Sequence, residues 1–89
     1  MKNKILIKLI VPELDIIYDV FIPVNEIVWK IKRLLVKSVT DLTNTDLNDH
    51  LEYELINKDN SKVYDNNELI KETDIRNGSE LVLIFRNLS

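Results

Sequence analysis

An apolar repeat with the period of an α-helix occupies residues 24–39. Its core-forming positions recur at i, i+1, i+4, i+7 and i+8 and are Ile27, Val28, Ile31, Leu34 and Leu35. At about 3.6 residues per turn, this spacing forms one stripe about 100° wide, which is typical of a helix packed on a core. The repeat therefore predicts a single amphipathic helix, and a charge at Leu34 is expected to unfold the domain.

The residues around this stretch predict where the helix begins and ends. Pro23 suits the approach to a first helical turn, where a missing N–H is tolerated. Asn25 is the predicted N-cap, and Glu26 complements the positive end of the helix. Lys37 complements the negative end, and residues 40–49 are predicted to form a polar loop with at most one helical turn.

The other apolar segments are short, rich in β-branched residues and bounded by turn residues, which predicts strands. They are residues 5–11, 16–22, 52–57, 62–64 and 81–86. The short link at 12–15 makes the first two an antiparallel hairpin. The last is nearly all apolar, as a central strand is, and follows a turn at Asn77 and Gly78. Residues 65–76 form the connection before that turn, and its predicted core anchors are Leu69, Ile70 and Ile75.

This order of elements predicts an α+β fold of the β-grasp type. The last strand can reach the first by a right-handed crossover and lie parallel beside it. We therefore expect a mixed sheet of four to five strands packed on one main helix, with residues 1–89 forming a single domain.

Alternation along the hairpin assigns its side chains to two faces. The set expected to meet the helix is wholly apolar in the second strand, whereas Lys8 and Asp19 mark the outer face. That outer face is nevertheless rich in large apolar residues, namely Leu6, Ile10, Ile17 and Phe21, with Val82 or its neighbours. An exposed apolar sheet face predicts a partner-binding surface. The alternatives are that the chain's own tail or a homodimer mate covers it.

The helix carries a second candidate surface. Trp29 lies far from the apolar stripe, and Arg33 and Val36 fall beside it, a composition typical of an interaction hot spot. The alternative is that Trp29 folds sideways against the loop at 40–49. Lys30, Lys32, Arg33 and Lys37 also place four positive charges on the helix, and a solvated helix face explains these most simply.

Composition narrows the classes of function. The chain has 89 residues, a net charge of −3, no cysteine and one glycine. The charge argues against nucleic-acid binding, and the cysteine count excludes disulfides and thiolate chemistry. No apolar run approaches the roughly 20 residues of a membrane span, and Lys8 interrupts the weakly signal-like start. We therefore expect a cytoplasmic protein without direct membrane insertion.

No pattern of residues in the sequence predicts a catalytic site or a metal site. His50 has no cysteine or second histidine near it, and Asp41, Asp46 and Asp49 lack the spacing and glycine of a calcium loop. No serine is placed as a nucleophile with a paired base. We therefore expect that the protein is not an enzyme and that it has no catalytic residue, cofactor or metal.

Three features of the sequence carry a family resemblance: DVFIPV from Asp19 to Val24, Trp29 in the helix, and IRNGSEL from Ile75 to Leu81. With them the chain resembles ubiquitin-fold proteins along its whole length, and within that fold it is similar to the YukD/EsaB-like family of bacterial type VII secretion systems. It implies a cytosolic, non-enzymatic protein that is not conjugated to targets. It also implies protein partners among the components of the secretion machinery.

Two other functions fit the same fold. A ubiquitin-like modifier or sulfur carrier needs a tail ending in Gly-Gly, whereas this sequence ends in Asn87, Leu88 and Ser89. An unrelated adaptor could share the β-grasp fold. A thioester adduct formed with ATP would identify a modifier or carrier, and the neighbouring genes would distinguish an adaptor from a secretion accessory protein.

Overall fold

The computed structural model describes residues 3–44 and 51–87. It contains four strands and one α-helix, which we number in chain order as β1 (Lys4–Val11), β2 (Ile16–Pro23), α1 (Val28–Thr43), β3 (Leu51–Asn57) and β4 (Glu80–Asn87). Short 3-10 turns at Pro12–Leu14 and Ile70–Glu72 complete the regular structure.

The four strands form one mixed sheet in the order β2-β1-β4-β3. β1 pairs antiparallel with β2 and parallel with β4, and β3 pairs antiparallel with β4. This arrangement confirms the predicted β-grasp fold, with β4 in the interior of the sheet. The predicted strand at 62–64 contributes a single bridge, between Ile56 and Val63, because the chain turns away after one pairing.

The hairpin forms as its alternation predicts. Lys4 pairs with Pro23 and Val11 with Ile16 in one continuous register. Asp15 closes the turn in the left-handed conformation, at φ 53°, and its N–H donates to the Pro12 carbonyl at 3.1 Å. Aspartate tolerates this conformation better than most residues because its short polar side chain can bond locally.

The core lies between the sheet and α1 and is built from alternate strand residues. Its fully buried side chains include three from β1, one from β2, one from β3 and two from β4: Ile7, Leu9, Val11, Ile22, Leu55, Leu81 and Leu83. The helix contributes Val28, Ile31, Leu35 and Val39. Ile70 and Ile75 are buried as predicted, whereas Leu69 is half-buried.

The prediction for the start of the helix was wrong. Residues 24–26 are bends outside the helix, and the carbonyls of Val24 and Glu26 accept hydrogen bonds from the N–H groups of Lys71 and Ile70, each at 3.0 Å. Ile27 forms a bridge with Leu69. Pairing with a distant segment therefore replaces the first helical turn, a tertiary effect that local periodicity does not contain.

Asn25 is also not the N-cap, which is Ile27, without a side-chain hydrogen bond. The first N–H groups of α1 donate instead to backbone carbonyls of the connection: Val28 to Glu68 at 2.8 Å and Trp29 to Asn66 at 3.0 Å. The connection at 65–69 thus satisfies donors that a helix start leaves free.

The other end of α1 extends beyond the prediction. The hydroxyls of Thr40 and Thr43 donate to the carbonyls of Val36 and Val39, at 2.9 and 2.7 Å. The helix then ends at Asn44, which is left-handed at φ 55°. Lys37 therefore lies before the last turn, which contains no basic residue. Residues 45–49 of the predicted loop lie outside the described part of the chain.

The predicted role of Leu34 was wrong as well, since its side chain is 41% exposed. Val39 is buried and belongs to the stripe, although the sequence pattern did not count it, whereas Ile27 precedes the helix in a β conformation and is not part of the stripe. The stripe is thereby centred near Leu35, and Leu34 lies roughly 100° around the helix from that centre. Leu34 faces the β2 side of α1, and Trp29 and Val36 lie on the β3 side.

No helix in the part of the chain that the structure describes has the length and apolar character of a membrane span.

Candidate protein-interaction surfaces

The outer face of the sheet carries a row of aliphatic side chains that crosses all four strands. The register pairs Ile17 with Ile10, Ile10 with Val82, and Val82 with Ile56. Residues paired across strands share a face, so these four form one line, which we call the outer row. Ile17 at its β2 end is 63% exposed, and the other three are half-buried.

A charged line borders the outer row on one side. Asp19 pairs with Lys8, which pairs with Glu80, and the ammonium of Lys8 lies 3.9 Å from the Asp19 carboxylate. Glu80 also binds the Lys58 ammonium at 3.1 Å. Exposed pairs of this kind add little stability, but they divide the face into an aliphatic line and a polar line.

Beyond the charged line, Phe21 pairs with Leu6. Phe21 is 61% exposed, although aromatic side chains of its size are usually covered. The structure therefore places all four predicted sheet residues, Leu6, Ile10, Ile17 and Phe21, on one accessible face. It adds Ile56 to the set, which the alternation of Glu52, Glu54 and Ile56 along β3 could have identified.

The second predicted surface lies in a cleft of about 930 Å³ between α1, β3 and the connection. The guanidinium of Arg33 stands 5.1 Å from the ring centre of Trp29, a cation–π contact. Trp29 is 44% exposed, and it lines the cleft together with Val63 and Asn66. The backbone N–H of Trp29 donates to the Asn66 carbonyl at 3.0 Å, which ties the start of the helix to the connection. Thr40 of the predicted loop also lines the cleft, and residues 45–49 of that loop lie outside the described residues.

Val36 differs from its prediction, because it is half-buried and packs against the core beside the cleft. Lys32, in the same wall, donates from its ammonium to the Tyr53 carbonyl at 2.7 Å. Burial lowers the pKa of Lys32, although the charges of Glu54 and Glu52 oppose this shift. Both signs of charge line the cleft, so it carries no single electrostatic preference.

A polar cluster fixes the connection beside the cleft. The buried Tyr64 donates its hydroxyl hydrogen to the Asp74 carboxylate and accepts a hydrogen bond from Asn57 at 3.1 Å. Burial and the bond to Asp74 raise the pKa of Tyr64 to about 12, and the same bond lowers the pKa of Asp74. The side-chain amide of Asn60 donates to the other Asp74 oxygen at 3.1 Å.

Among the described residues, no group of three or more His, Cys, Asp or Glu side chains is arranged to hold a metal ion. Asp41 is exposed on α1, whereas Asp46, Asp49 and His50 lie outside those residues.

No family model and no curated protein matches the chain. Solved structures do match. One is a chain of the MycP5-free ESX-5 inner membrane complex in State II, with a TM-score of 0.78 and 15% identity. The match covers 96% of this chain but 21% of that one, so the chain spans about a fifth of its length.

Two further structures show how widely the fold occurs. The ubiquitin-like domain of Plasmodium falciparum Dsk2 matches with a TM-score of 0.69 and 16% identity, over 92% of this chain and 97% of that one. A chain of the toluene 4-monooxygenase HD complex with 4-bromobenzoate reaches 0.78 at 6% identity, over 94% and 100%. The fold is therefore ubiquitin-like, and at these identities the likeness extends to the fold alone.

Proposed function

We propose that the chain is a non-catalytic, ubiquitin-like interaction module that serves a bacterial type VII secretion system from the cytoplasm. It docks a protein of that apparatus on the outer face of its sheet and is not conjugated to targets. The observation that carries the docking is the aliphatic outer row, which stays partly exposed on a sheet whose other face packs against the core, with Ile17 exposed and the other three residues half-buried.

The energetics of the outer face favour a protein partner. Each fully buried aliphatic side chain contributes roughly 1.5–3 kcal/mol, and the exposed part of the outer row adds to this contribution only when something covers it. The charged line through Asp19, Lys8 and Glu80 lies directly beside the row. Apolar contacts bordered by polar ones are typical of the core and rim of protein interfaces.

Two observations support the secretion context. The chain resembles the YukD/EsaB-like family in the residues from Asp19 to Val24 and from Ile75 to Leu81. It also shares its fold with a chain of an ESX-5 inner membrane complex, over nearly its whole length. The proposal joins the two by assigning the outer face to a component of such a complex.

The proposal that the protein is non-catalytic is supported by the contacts of the residues whose pKa is shifted, since each of them has a structural partner. Lys32 is bound to the Tyr53 carbonyl, and Tyr64 and Asp74 are bound to each other. These groups hold the connection and β3 in place, and a perturbed pKa with a structural partner does not require a reaction.

The test replaces the gene in the host bacterium with variants and measures secretion of the system's substrates by immunoblot. Phe21→Asp and Ile10→Ala are expected to reduce secretion by about tenfold or more, as the loss of interface hot spots does. Both residues lie on the outer face, so circular dichroism should show that the variants remain folded. A photo-crosslinking residue at position 21 should form an adduct with a subunit of the apparatus.

Two controls separate the surfaces. Lys71→Ala, at an exposed site on the connection, should secrete normally, and Trp29→Ala reports whether the cleft is needed as well. Normal secretion by both outer-face variants, at unchanged protein level, would show that the outer face is not the docking surface.

A further inference from the structure

β2 forms one edge of the sheet, and the hydrogen bonds of its neighbour β1 show which of its backbone groups are free. The N–H of Leu6 donates to Asn77 Oδ1 and its carbonyl accepts from the Gly78 N–H, each at 2.7 Å. The N–H of Lys8 donates to the Ser79 carbonyl at 2.9 Å. The backbone groups of Leu6 and Lys8 therefore point toward the β4 side of the sheet and away from β2.

Opposite residues of an antiparallel pair either exchange both hydrogen bonds or make neither. Phe21 pairs with Leu6 and Asp19 with Lys8, so their N–H and C=O groups point to the open edge, and Ile17 follows by the same alternation. Within the described residues, none of these groups has a hydrogen-bond partner across the edge. The register has no bulge, so β2 offers regularly spaced donors and acceptors.

An apolar groove of about 520 Å³ runs beside this edge, between β2 and α1. Its walls include Val20 from the strand and two exposed helix residues, Leu34 at 41% and Leu42 at 58%. The Tyr18 hydroxyl and Ser38 Oγ lie 2.8 Å apart, which ties the strand to the helix. A strand added at the edge would place every second side chain in this groove.

The other side chains of such a strand would lie on the outer face, next to Ile17, Asp19 and Phe21. The side chains that an added strand would meet are thus apolar, acidic and apolar in order along β2. The Asp19 side chain is 59% exposed. Cross-strand pairs favour apolar residues opposite apolar ones and opposite charges opposite each other.

We propose that the β2 edge binds an extended segment of a partner protein, added as a fifth strand, with apolar residues on both sides and one lysine or arginine opposite Asp19. Backbone hydrogen bonds would supply the strand pairing and the groove its side-chain specificity. The same pattern of cross-strand pairs already exists between β2 and its neighbour β1. There Leu6 and Ile10 lie opposite Phe21 and Ile17, and Lys8 lies opposite Asp19.

A second copy of the chain is a poorer occupant. The antiparallel β2–β2 register that uses all three free residues is centred on Asp19 and places this carboxylate opposite its own copy. Like charges directly opposite each other destabilise strand pairs. A central charge of this kind is also a common guard against self-association of an edge.

The experiment titrates the full chain with a fluorescent peptide whose central sequence is Leu-Ile-Lys-Leu-Ile, flanked by Gly and Ser. We expect saturable binding, with amide chemical-shift changes at Ile17, Asp19 and Phe21. N-methylation of the alternate peptide amides that face β2 should abolish binding, whereas methylation of the other set should not. This contrast separates strand addition from general hydrophobic contact.

Variants test the groove and the charge. Leu34→Asp and Leu42→Asp should each weaken binding by about tenfold or more. Asp19→Lys should bind the lysine peptide less tightly and a glutamate version more tightly. Trp29→Ala, on the opposite flank of α1, is the matched control and should bind unchanged.

Binding that tolerates both methylated peptides, or that ignores Leu34→Asp and Leu42→Asp, would overturn the edge assignment. So would a mass of twice 10.5 kDa by light scattering that reverts to monomer when β2 is altered. The outer face and the β2 edge share Ile17 and Phe21, so a variant that lies on the outer row but away from β2 separates the two proposals. Val82→Asp is such a variant. It should impair secretion yet leave peptide binding intact, so either proposal can fail alone.

Discussion

Tyr64 is the residue in which burial and hydrogen bonding are most closely linked. The residue is 3% exposed, yet its hydroxyl forms hydrogen bonds with both Asp74 and Asn57. A buried hydroxyl without partners costs roughly 1–3 kcal/mol, and this cluster avoids that penalty while joining β3 to the connection. The raised pKa of Tyr64 is the electrostatic consequence of the same contacts.

Tyr64→Phe should lower the free energy of unfolding by about 1–2 kcal/mol at pH 7, because it removes these bonds and leaves Asn57 with fewer partners. The pH profile should change as well. The pKa of Tyr64 in the folded chain is about 12, above the ordinary tyrosine value of 10.0. The stabilisation is therefore complete below pH 10.0 and is lost as the pH rises toward 12.

Denaturant unfolding between about pH 7 and pH 11, followed by circular dichroism, checks this. The gap in stability between the unmodified chain and Tyr64→Phe should narrow above about pH 10. Asp74→Asn is the companion variant, since it keeps a hydrogen-bond acceptor but removes the charge that disfavours the tyrosinate. A constant gap across the range would contradict the account.

At the scale of elements, α1 determines which surfaces the molecule can use. Its buried stripe is Val28, Ile31, Leu35 and Val39, at intervals of three, four and four residues. The two flanks beside that stripe face different strands. Leu34 and Leu42 border β2, and Trp29 borders the connection near β3, so a single helix shapes both the groove and the cleft.

The neighbours Leu34 and Leu35 test this orientation directly. Leu35→Ala should cost about 2–5 kcal/mol of unfolding free energy, as large-to-small changes in a close-packed core do. Leu34→Ala should cost less than about 1 kcal/mol, because the side chain already contacts water. Paired urea titrations would decide, and equal losses would mean that the helix is rotated from the position described.

At the scale of the whole molecule, the two ends of the described chain meet in the middle of the sheet. Lys8 pairs with Glu80, and Ile10 with Val82, across most of the sequence. Pairings of such long range slow folding, because the loop must close before the contacts form. The turn at Arg76–Ser79 aligns the strands by binding both backbone groups of Leu6.

Gly78 allows this turn, since its φ is +91° and no atom lies within 4 Å of the point that a Cβ would occupy. Gly78→Ala should therefore lower the unfolding free energy by about 1 kcal/mol or slightly more, from backbone strain alone. Gly78→Asn should lose less, because asparagine tolerates positive φ better. Thermal unfolding would compare the three, and an unchanged midpoint for Gly78→Ala would contradict this expectation.

Much of the fold could be predicted because strand alternation is a local signal. The faces of β1 and β2, the hairpin and the parallel closure follow from period and order. The start of α1 could not be predicted, because residues 24–27 pair with 69–71, which are distant in sequence. The wrong prediction for Leu34 has the same cause, because the predicted stripe included Ile27 and omitted Val39, which shifted its apparent centre toward Leu34.

The candidate surfaces were predictable to different degrees. Leu6, Ile10, Ile17 and Phe21 came together as expected because the hairpin register fixes their face. The cleft around Trp29 and Arg33 was only half anticipated. Its far wall, at 63–66, is brought there by hydrogen bonds to the start of the helix, and periodicity gives no sign of these.

The chain has one tryptophan, and Trp29 lies at the half-open cleft rather than in the core. Its intrinsic fluorescence is therefore a local optical probe of the β3 flank of the helix. Emission from this indole should follow Arg33 and the connection closely and respond little to events at the distant β2 edge. The two flanks can thus be monitored separately in one unlabelled sample, with the indole reporting one side and a labelled ligand the other.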